Sequence, residues 1–460
     1  MTVSKISEIV ENQKEYFASG KTKEIDFRIA MLKKLKTAIL DHKDDVVDSV
    51  NRDFGTGEYD GYGRIVYVID EINHFIKKLK KWNRPVRVKT HMTLFHGRSE
   101  YIYEPYGVSL IIGAWNAPYM VTFLPLIASI GAGNCSVVKP SEISPATSQV
   151  ITRIIRSVFP PEFCAVVEGG VPETTALLEQ KFDFICYTGS TNVGKIVYKA
   201  ATEHLIPVLL ELGGKSPCIV DESADIKLTA RRICTAKLLN AGQVCTSPDY
   251  ITVHKNVKEK LISELEKTIR EFYPDSALNS EDYTQIINEK NFNRLTGLLE
   301  SVQPEKVRFG GGQDRNKLKI EPTLIDNVNW DDLIMSDEIF GPLIPIIEYE
   351  DLDSVIDKIT KREKPLALYI YSKNEENIKK IRKATSSGAL GINVSVLHFL
   401  NKHLPFGGVG NSGIGKYRGR TGYETFSHQK AIFNKALFFE SKLMSPPYGN
   451  KHKMLEMMLR

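Results

Sequence analysis

Phe182-Asp183-Phe184-Ile185-Cys186-Tyr187-Thr188-Gly189-Ser190-Thr191-Asn192-Val193-Gly194-Lys195 reads as a buried strand, a glycine turn and the first turns of a helix. At such a point the free N–H groups and the dipole of the helix favour a phosphate. The spacing Gly189-x-x-x-x-Gly194-Lys195 comes close to a P-loop, which needs Ser or Thr next to hold Mg²⁺; Ile196 stands there instead. The turn therefore suits the pyrophosphate of a dinucleotide better than a triphosphate, although the usual GxGxxG is absent.

The alternation of strand and helix extends outward from this stretch. Residues 107–112, 135–139, 165–168, 183–188 and 207–210 are short apolar runs, mostly separated by helical patterns around 119–132, 145–158, 172–180 and 191–203. Charge-poor strands between helices indicate a parallel sheet covered on both faces. Ahead of it, residues 24–82 carry apolar side chains at helical spacing (Ile29, Leu32, Leu35 and Ile39, then Ile65, Val68, Ile72, Phe75 and Leu79), which predicts a helical layer. A second series follows, with strands expected at 250–253, 343–348, 367–371 and 389–393 and helices at 257–272, 351–361 and 375–384. Two α/β domains that meet near Cys245 account for both series. Peripheral strands, a common place for subunit contacts, are expected at 101–104 and 435–440.

A chain of 460 residues exceeds the roughly 250–300 at which a single core stops growing. Its net charge of +5 is spread along the sequence with no dense basic block, which argues against nucleic acid as a partner. Cys135, Cys164, Cys186, Cys218, Cys234 and Cys245 lie far apart with no CxxC pair, and residues 4–14 are polar and charged. That argues against a zinc site, a disulfide framework and a secretory signal. No metal is expected, and the chain reads as cytoplasmic and reduced. Residues 105–138 carry no charge, but a membrane span needs about 20 continuous apolar helical residues. Asn116-Ala117-Pro118, Pro125, Gly131 and Gly133 divide the run into strand, loop, helix and strand.

Cys245 lies in Asn240-Ala-Gly-Gln-Val-Cys-Thr-Ser-Pro-Asp249, between a helical segment and a turn. That is the setting of a nucleophile, whose thiolate is stabilised by backbone N–H groups or a helix terminus. A free cysteine is as a rule a buried apolar residue, so its neighbours decide. Glu211 ends the apolar strand Val208-Leu-Leu-Glu211, ahead of Gly213 and Gly214. Among Val and Leu side chains an acid is desolvated and its pKa rises toward the range of a general base; pointing into water, it is an ordinary strand end. Asn116 offers a side-chain donor at another strand end, suited to a developing oxyanion or to a simple turn. Lys139 and Glu142 stand at the next strand end, where open α/β sheets place ligands. Glu338-Ile-Phe340-Gly-Pro342 adds an acid and an aromatic face beside a Gly-Pro turn. Singly, the last two segments fit surface turns.

Taken in order, seven segments resemble the NAD(P)-dependent aldehyde dehydrogenase superfamily over nearly the whole chain. They are Trp115-Asn116, Lys139-Pro-Ser-Glu142, Thr188-Gly-Ser-Thr-x-x-Gly194, Glu211-Leu-Gly-Gly-Lys215, Gly242-Gln-x-Cys245, Glu338-Ile-Phe-Gly-Pro342 and Pro405-Phe-Gly-Gly-Val-Gly-x-Ser-Gly413. The early start of the pattern, the Cys-x-x-Pro-Asp-Tyr250 continuation and residues 404–413 look most like class 3, which includes fatty and aromatic aldehyde dehydrogenases. The resemblance implies two doubly wound α/β domains. A Rossmann-like dinucleotide-binding domain would span 1–82 and 105–211, and a catalytic domain with Cys245 would span 212–420. A small β oligomerisation element at 83–104 and 421–445, a homodimer and a tail at 446–460 are implied with them.

By the same resemblance, Cys245 attacks an aldehyde, Asn116 and the Cys245 N–H hold the oxyanion, and hydride passes to NAD, with NADP open. Glu211 then activates the water that hydrolyses the thioester. Trp115, Lys139, Glu142, Gly189, Ser190, Gly194, Glu338 and Phe340 fall at cofactor-binding positions. Lys139 and Glu142 are implied at the adenosine ribose, Gly189 and Ser190 at the pyrophosphate, and Glu338 at the nicotinamide ribose. Glu142 resembles the acid that disfavours a 2′-phosphate in NAD-preferring relatives, whereas class 3 enzymes use both cofactors. Medium- or long-chain aliphatic or aromatic aldehydes are the implied substrates. The competing readings are an acylating enzyme that uses coenzyme A and a non-catalytic protein on the same fold. At Ala117 many class 3 members carry an aromatic residue; the small side chain either alters packing beside Asn116 or widens the substrate path.

Some fatty aldehyde members of class 3 end in a hydrophobic membrane anchor, but residues 441–460 hold no span of the required length. They hold Met454, Leu455, Met457, Met458 and Leu459 beside Lys451, Lys453 and Arg460. This cluster fits packing on the enzyme body, disorder, weak contact with a membrane surface, or a lid over a substrate entrance.

Overall fold

A computed structural model of the chain describes residues 3–440, 442 and 445–459, without the side chain of Met458. Its first sheet runs in the order Gly413–Ile414, Val208–Glu211, Phe184–Thr188, Val108–Ile112, Cys135–Lys139, Cys164–Val166. All pairings are parallel except that of Gly413–Ile414. Every residue of the strands at 108–112, 135–139 and 184–188 is buried, which is the reason for their apolar sequences. From Val108–Ile112 the chain steps outward to Cys135–Lys139 and Cys164–Val166, then returns to Phe184–Thr188 on the other flank. The crevice at such a reversal is where open α/β sheets hold ligands, and Asn116 and Gly189 follow the two strands that border it.

The charge-free run after Ile112 becomes helix Pro118–Ala132. Proline sets its first turn, Gly133 at φ 100° ends it, and Pro125 is accommodated inside. Helices Ile25–Asp41, Lys43–Phe54 and Glu58–Trp82 pack on this helix or on Pro145–Val158. Together they share one hydrophobic core with the sheet. A further helix, Val3–Ala18, buries Ile6, Val10 and Gln13; its polar sequence had not suggested one.

The second sheet has the order Val307–Phe309, Thr323–Ile325, Leu343–Tyr349, Tyr250–His254, Pro217–Val220, Ala367–Tyr371, Ala389–Ile392, parallel but for its first strand. A third, antiparallel sheet joins Val86–Val88, Gly97–Pro105 and Ser427–Lys435. The strand expected at 435–440 is therefore corrected to Ser427–Lys435. It runs in register with Gly97–Pro105 and stops where that strand begins, at His96, whose φ is 66°. Its mostly exposed residues carry no clean apolar alternation, which concealed it.

Among the described residues no helix is long and apolar enough to cross a membrane. The tail forms the short helix His452–Met458, with Met454, Leu455, Met457 and Leu459 exposed rather than packed on the body. Arg460 and the Met458 side chain, which the sequence reading placed in the same cluster, lie outside the described residues, as do Ser441, Leu443 and Met444.

Candidate active site

Helix Ile226–Leu238 delivers the chain toward Cys245 through a left-handed turn in which Asn240, Ala241 and Gly242 take φ of 53°, 50° and 77°. For non-glycine residues such a conformation costs about 1–3 kcal/mol each and persists only where the surroundings impose it. Here they do. The Asn240 amide donates to the carbonyls of Asn116 at 3.0 Å and Gln243 at 3.1 Å. Gln243 is wholly buried; its Nε2 donates to Asn240 O and Gln285 O, and its Oε1 accepts from the Ile287 N–H, each at 3.0 Å. A side chain at position 242 would come within 2.2 Å of the Gly341 carbonyl, so close approach as well as φ requires glycine. Held in this way, half-buried Cys245 packs against the core of the first sheet, although its loop runs on into Tyr250–His254 of the second.

Asn116 is buried beyond the end of Val108–Ile112. Its Nδ2 donates to Gln243 O at 3.1 Å, which leaves a second amide hydrogen for a ligand. Its carbonyl accepts from Asn240 and, at 3.3 Å, from Arg64 Nη1. Arg64 is in turn fixed by Asp60 at 2.7 Å and lies over the Phe54 ring.

Glu211 ends its strand between Thr188 and Gly413 and is 3% exposed. Neither carboxyl oxygen has a hydrogen-bond partner. Burial pushes its pKa well above the usual carboxylate range, with the Lys416 ammonium pulling the other way. The Cys245 thiol is also pushed up, first by burial and then by the charges of Glu338 and Glu211, while the backbone N–H groups of Cys245 and Thr246 oppose this.

The remaining predicted positions lie around the same strand ends. The Gly189 N–H donates to the Glu211 carbonyl at 3.0 Å, which couples the glycine turn to the acid. Ser190 caps helix Thr191–Thr202, its hydroxyl accepting from the Val193 N–H. Gly194 lets Leu212 approach; a Cβ there would meet it at 2.5 Å. Buried Lys139 donates to Glu142 Oε2 at 2.7 Å and to Pro140 O at 3.1 Å. Trp115 and Phe340 meet edge to face with centroids 5.4 Å apart. The Glu338 carboxylate lies so close to Gly213 that a Cβ there would come within 2.0 Å of Oε2. Burial and then Asp249 push the Glu338 pKa to about 8, against the Gly214 N–H, Lys215 and Arg294.

Cys245, Asn116, Glu211 and Glu338 therefore share one neighbourhood, with Trp115 against Phe340; Lys139, Glu142, Gly189 and Ser190 lie on adjoining strand ends. This set fits a dinucleotide: a helix N-terminus for pyrophosphate, a buried cation beside an acid for a ribose, and a further acid two residues before Phe340, whose ring meets Trp115. Sequence reasoning missed Arg64 and Asn240 and saw Gln243 only as a letter of a motif. Their roles depend on carbonyl partners remote in the chain, for which residue type carries no signal.

The aldehyde dehydrogenase family profile matches residues 1–432. The chain is 44% identical to the 4,4'-diaponeurosporen-aldehyde dehydrogenase of Staphylococcus aureus, over 97% of each protein. It is 42% identical to the dimeric NADP-preferring aldehyde dehydrogenase of Canis lupus familiaris, over 97% of this chain and 98% of that one. The solved substrate-bound state of Staphylococcus aureus AldH superposes with a TM-score of 0.97 at 43% identity, covering 99% of both chains. Arabidopsis thaliana aldehyde dehydrogenase family 3 member H1, at 41% identity over 96% of this chain and 92% of that protein, lies in the same group. With this likeness over nearly its whole length, the chain belongs to the aldehyde dehydrogenase family and is an enzyme of aldehyde oxidation.

Proposed function

We propose that the chain oxidises medium- or long-chain aliphatic or aromatic aldehydes to carboxylic acids with NAD⁺ or NADP⁺, through a thioester on Cys245. The observation that carries this reading is a half-buried thiol within reach of the charge of a desolvated, unpartnered carboxyl, Glu211, on a loop whose Gln243 carbonyl holds the Asn116 amide by one of its two hydrogens. Cys245 Sγ attacks the carbonyl carbon, the C=O π bond opening onto oxygen as the thiol proton is lost to solvent, to give the anion of a thiohemiacetal. The Asn116 amide and the Cys245 N–H stabilise its oxygen, an interaction that strengthens as charge develops there. A bound NAD(P)⁺ supplies the hydride acceptor that turns this adduct into a thioester. Glu211 then takes a proton from water as the water oxygen bonds to the thioester carbon, the C–S bond breaks, and the carboxylic acid and the Cys245 sulfur are released; its raised pKa suits that task. Lys139 and Glu142 would hold the adenosine ribose, Gly189, Ser190 and Gly194 the pyrophosphate end, and Glu338 the nicotinamide ribose, with Trp115 and Phe340 beside it.

Residues 1–82 and 105–211 form the cofactor domain in this reading, and 212–420 the catalytic domain. An apolar substrate is supported by the partly buried ring of Phe399, which, like Cys245, packs against the core and meets the Phe406 ring there. The aldehyde named for the Staphylococcus aureus relative points the same way. A homodimer through the third sheet is supported by exposed Phe433, Leu437 and Phe438 at its margin, and by the word dimeric in the name of the canine relative.

The test is a survey of aldehydes of increasing apolar length, with each cofactor, in the presence and absence of coenzyme A. Reduced cofactor and free acid are expected in equal amounts whether or not coenzyme A is added. An acyl-coenzyme A product would overturn the hydrolytic route, and absence of cofactor reduction across the series would overturn the whole reading.

A further inference from the structure

Lys215 follows Glu211 out of its strand, and Asp249 follows Cys245 along its loop. The two side chains form an ion pair at 2.6 Å, 10% and 4% exposed. Lys215 Nζ also donates to the carbonyls of Ile334 at 2.8 Å and Asp337 at 2.9 Å, so all three of its hydrogens have acceptors. The other oxygen of Asp249 accepts from the Ile339 N–H at 3.0 Å, and Arg294 donates to the Ile339 carbonyl at 2.7 Å. One buried pair thus grips the backbone on both sides of Glu338. It also precedes Phe340, whose φ of 50° is a strained conformation for an aromatic residue.

We propose that Lys215–Asp249 is a positioning pair: it sets Glu338 and Phe340 for the nicotinamide end of the cofactor and ties that setting to the loop of Cys245. The proposal rests on the reading that Glu338 meets the cofactor. Stability alone does not account for such a pair, because apolar residues of similar volume serve a buried site as well or better. What apolar residues cannot supply is four directed hydrogen bonds joining three separate segments of the site.

Two variants test this. Asp249→Asn keeps the shape and the acceptor for Ile339 but removes the charge facing Lys215; Lys215→Met removes the ammonium. In each, KM for NAD⁺ is expected to rise at least about tenfold, as for truncation of one member of a buried pair. Cofactor-independent hydrolysis of p-nitrophenyl acetate by the Cys245 thiol is expected to stay within about threefold, since that reaction needs no cofactor half. The double variant should be no worse than the poorer single one if the pair acts as a unit.

Glu338→Gln is the control. A raised KM for NAD⁺ in Glu338→Gln with an unchanged KM in Asp249→Asn overturns the positioning role. An unchanged KM in Glu338→Gln overturns the cofactor assignment and the proposal with it. Equal losses of ester hydrolysis and cofactor affinity also overturn the proposal, by showing a general structural role. Should Lys215→Met fail to fold, Asp249→Asn carries the test.

Discussion

Glu211 and Asp249 are both buried, yet Glu211 has no hydrogen-bond partner while Asp249 accepts on both oxygens, from Lys215 and from Ile339. A buried acid left alone is costly, and it keeps its full capacity to take a proton. A buried acid whose oxygens are both engaged gives up that capacity and fixes geometry instead. Glu338 is intermediate, held by one backbone N–H and by neighbouring charge. The lesson is that these buried carboxylates differ in what surrounds them rather than in depth.

The largest effect that bears on this contrast is expected from Cys245→Ala. Without the thiol, Glu211 has no thioester to act on, and aldehyde-dependent cofactor reduction should fall by about 10⁴-fold or more. Residual turnover within about tenfold of the parent would detach Glu211 from any thiol chemistry. Next in size is Glu211→Gln. A first-turnover burst of reduced cofactor should survive, followed by steady turnover slower by about 10²–10⁴-fold, the scale of a lost general base. Disappearance of the burst would place Glu211 before hydride loss and erase its separation from Cys245.

The smallest effect concerns Glu338 and is thermodynamic. Its pKa in the folded protein, about 8, lies above the ordinary 4.5, so between these values the folded state holds a proton that the unfolded chain releases. Its contribution to stability is therefore complete below pH 4.5 and declines as pH rises toward 8. Glu338→Gln should flatten that decline, as read by denaturant unfolding across the window. An unchanged slope would move Glu338 to the side of the fully engaged carboxylates.

Much of this was legible in the sequence. The first sheet was readable because strands buried on both faces leave runs with no charge, as at Cys135–Val138, and because Pro118 and Gly133 bracket their helix. Motif order pointed to Cys245, Glu211 and Asn116, which the fold brings together. Short or polar strands were not readable: Pro217–Val220 and Thr323–Ile325 are too brief for periodicity, and Ser427–Lys435 pairs through its backbone with polar side chains outward. Nor could residue type reveal that Asn240 and Arg64 share the Asn116 carbonyl, or that Lys215 reaches Asp249, because those contacts join segments far apart in the chain.

The outer neighbour of the Glu211 strand is Gly413–Ile414, and all seven strands of the second sheet lie between the two in the sequence. Considered in time, this means that a growing chain releases Glu211 from the ribosome with one edge of its strand bare. The pairing that covers it arrives only after the second sheet has been made. Pairings between such distant segments form slowly, and an uncovered strand edge invites association with other chains. The strand that carries Glu211 is thereby among the last parts of the first sheet to be closed in, so a partly synthesised chain carries Cys245 before that edge is covered.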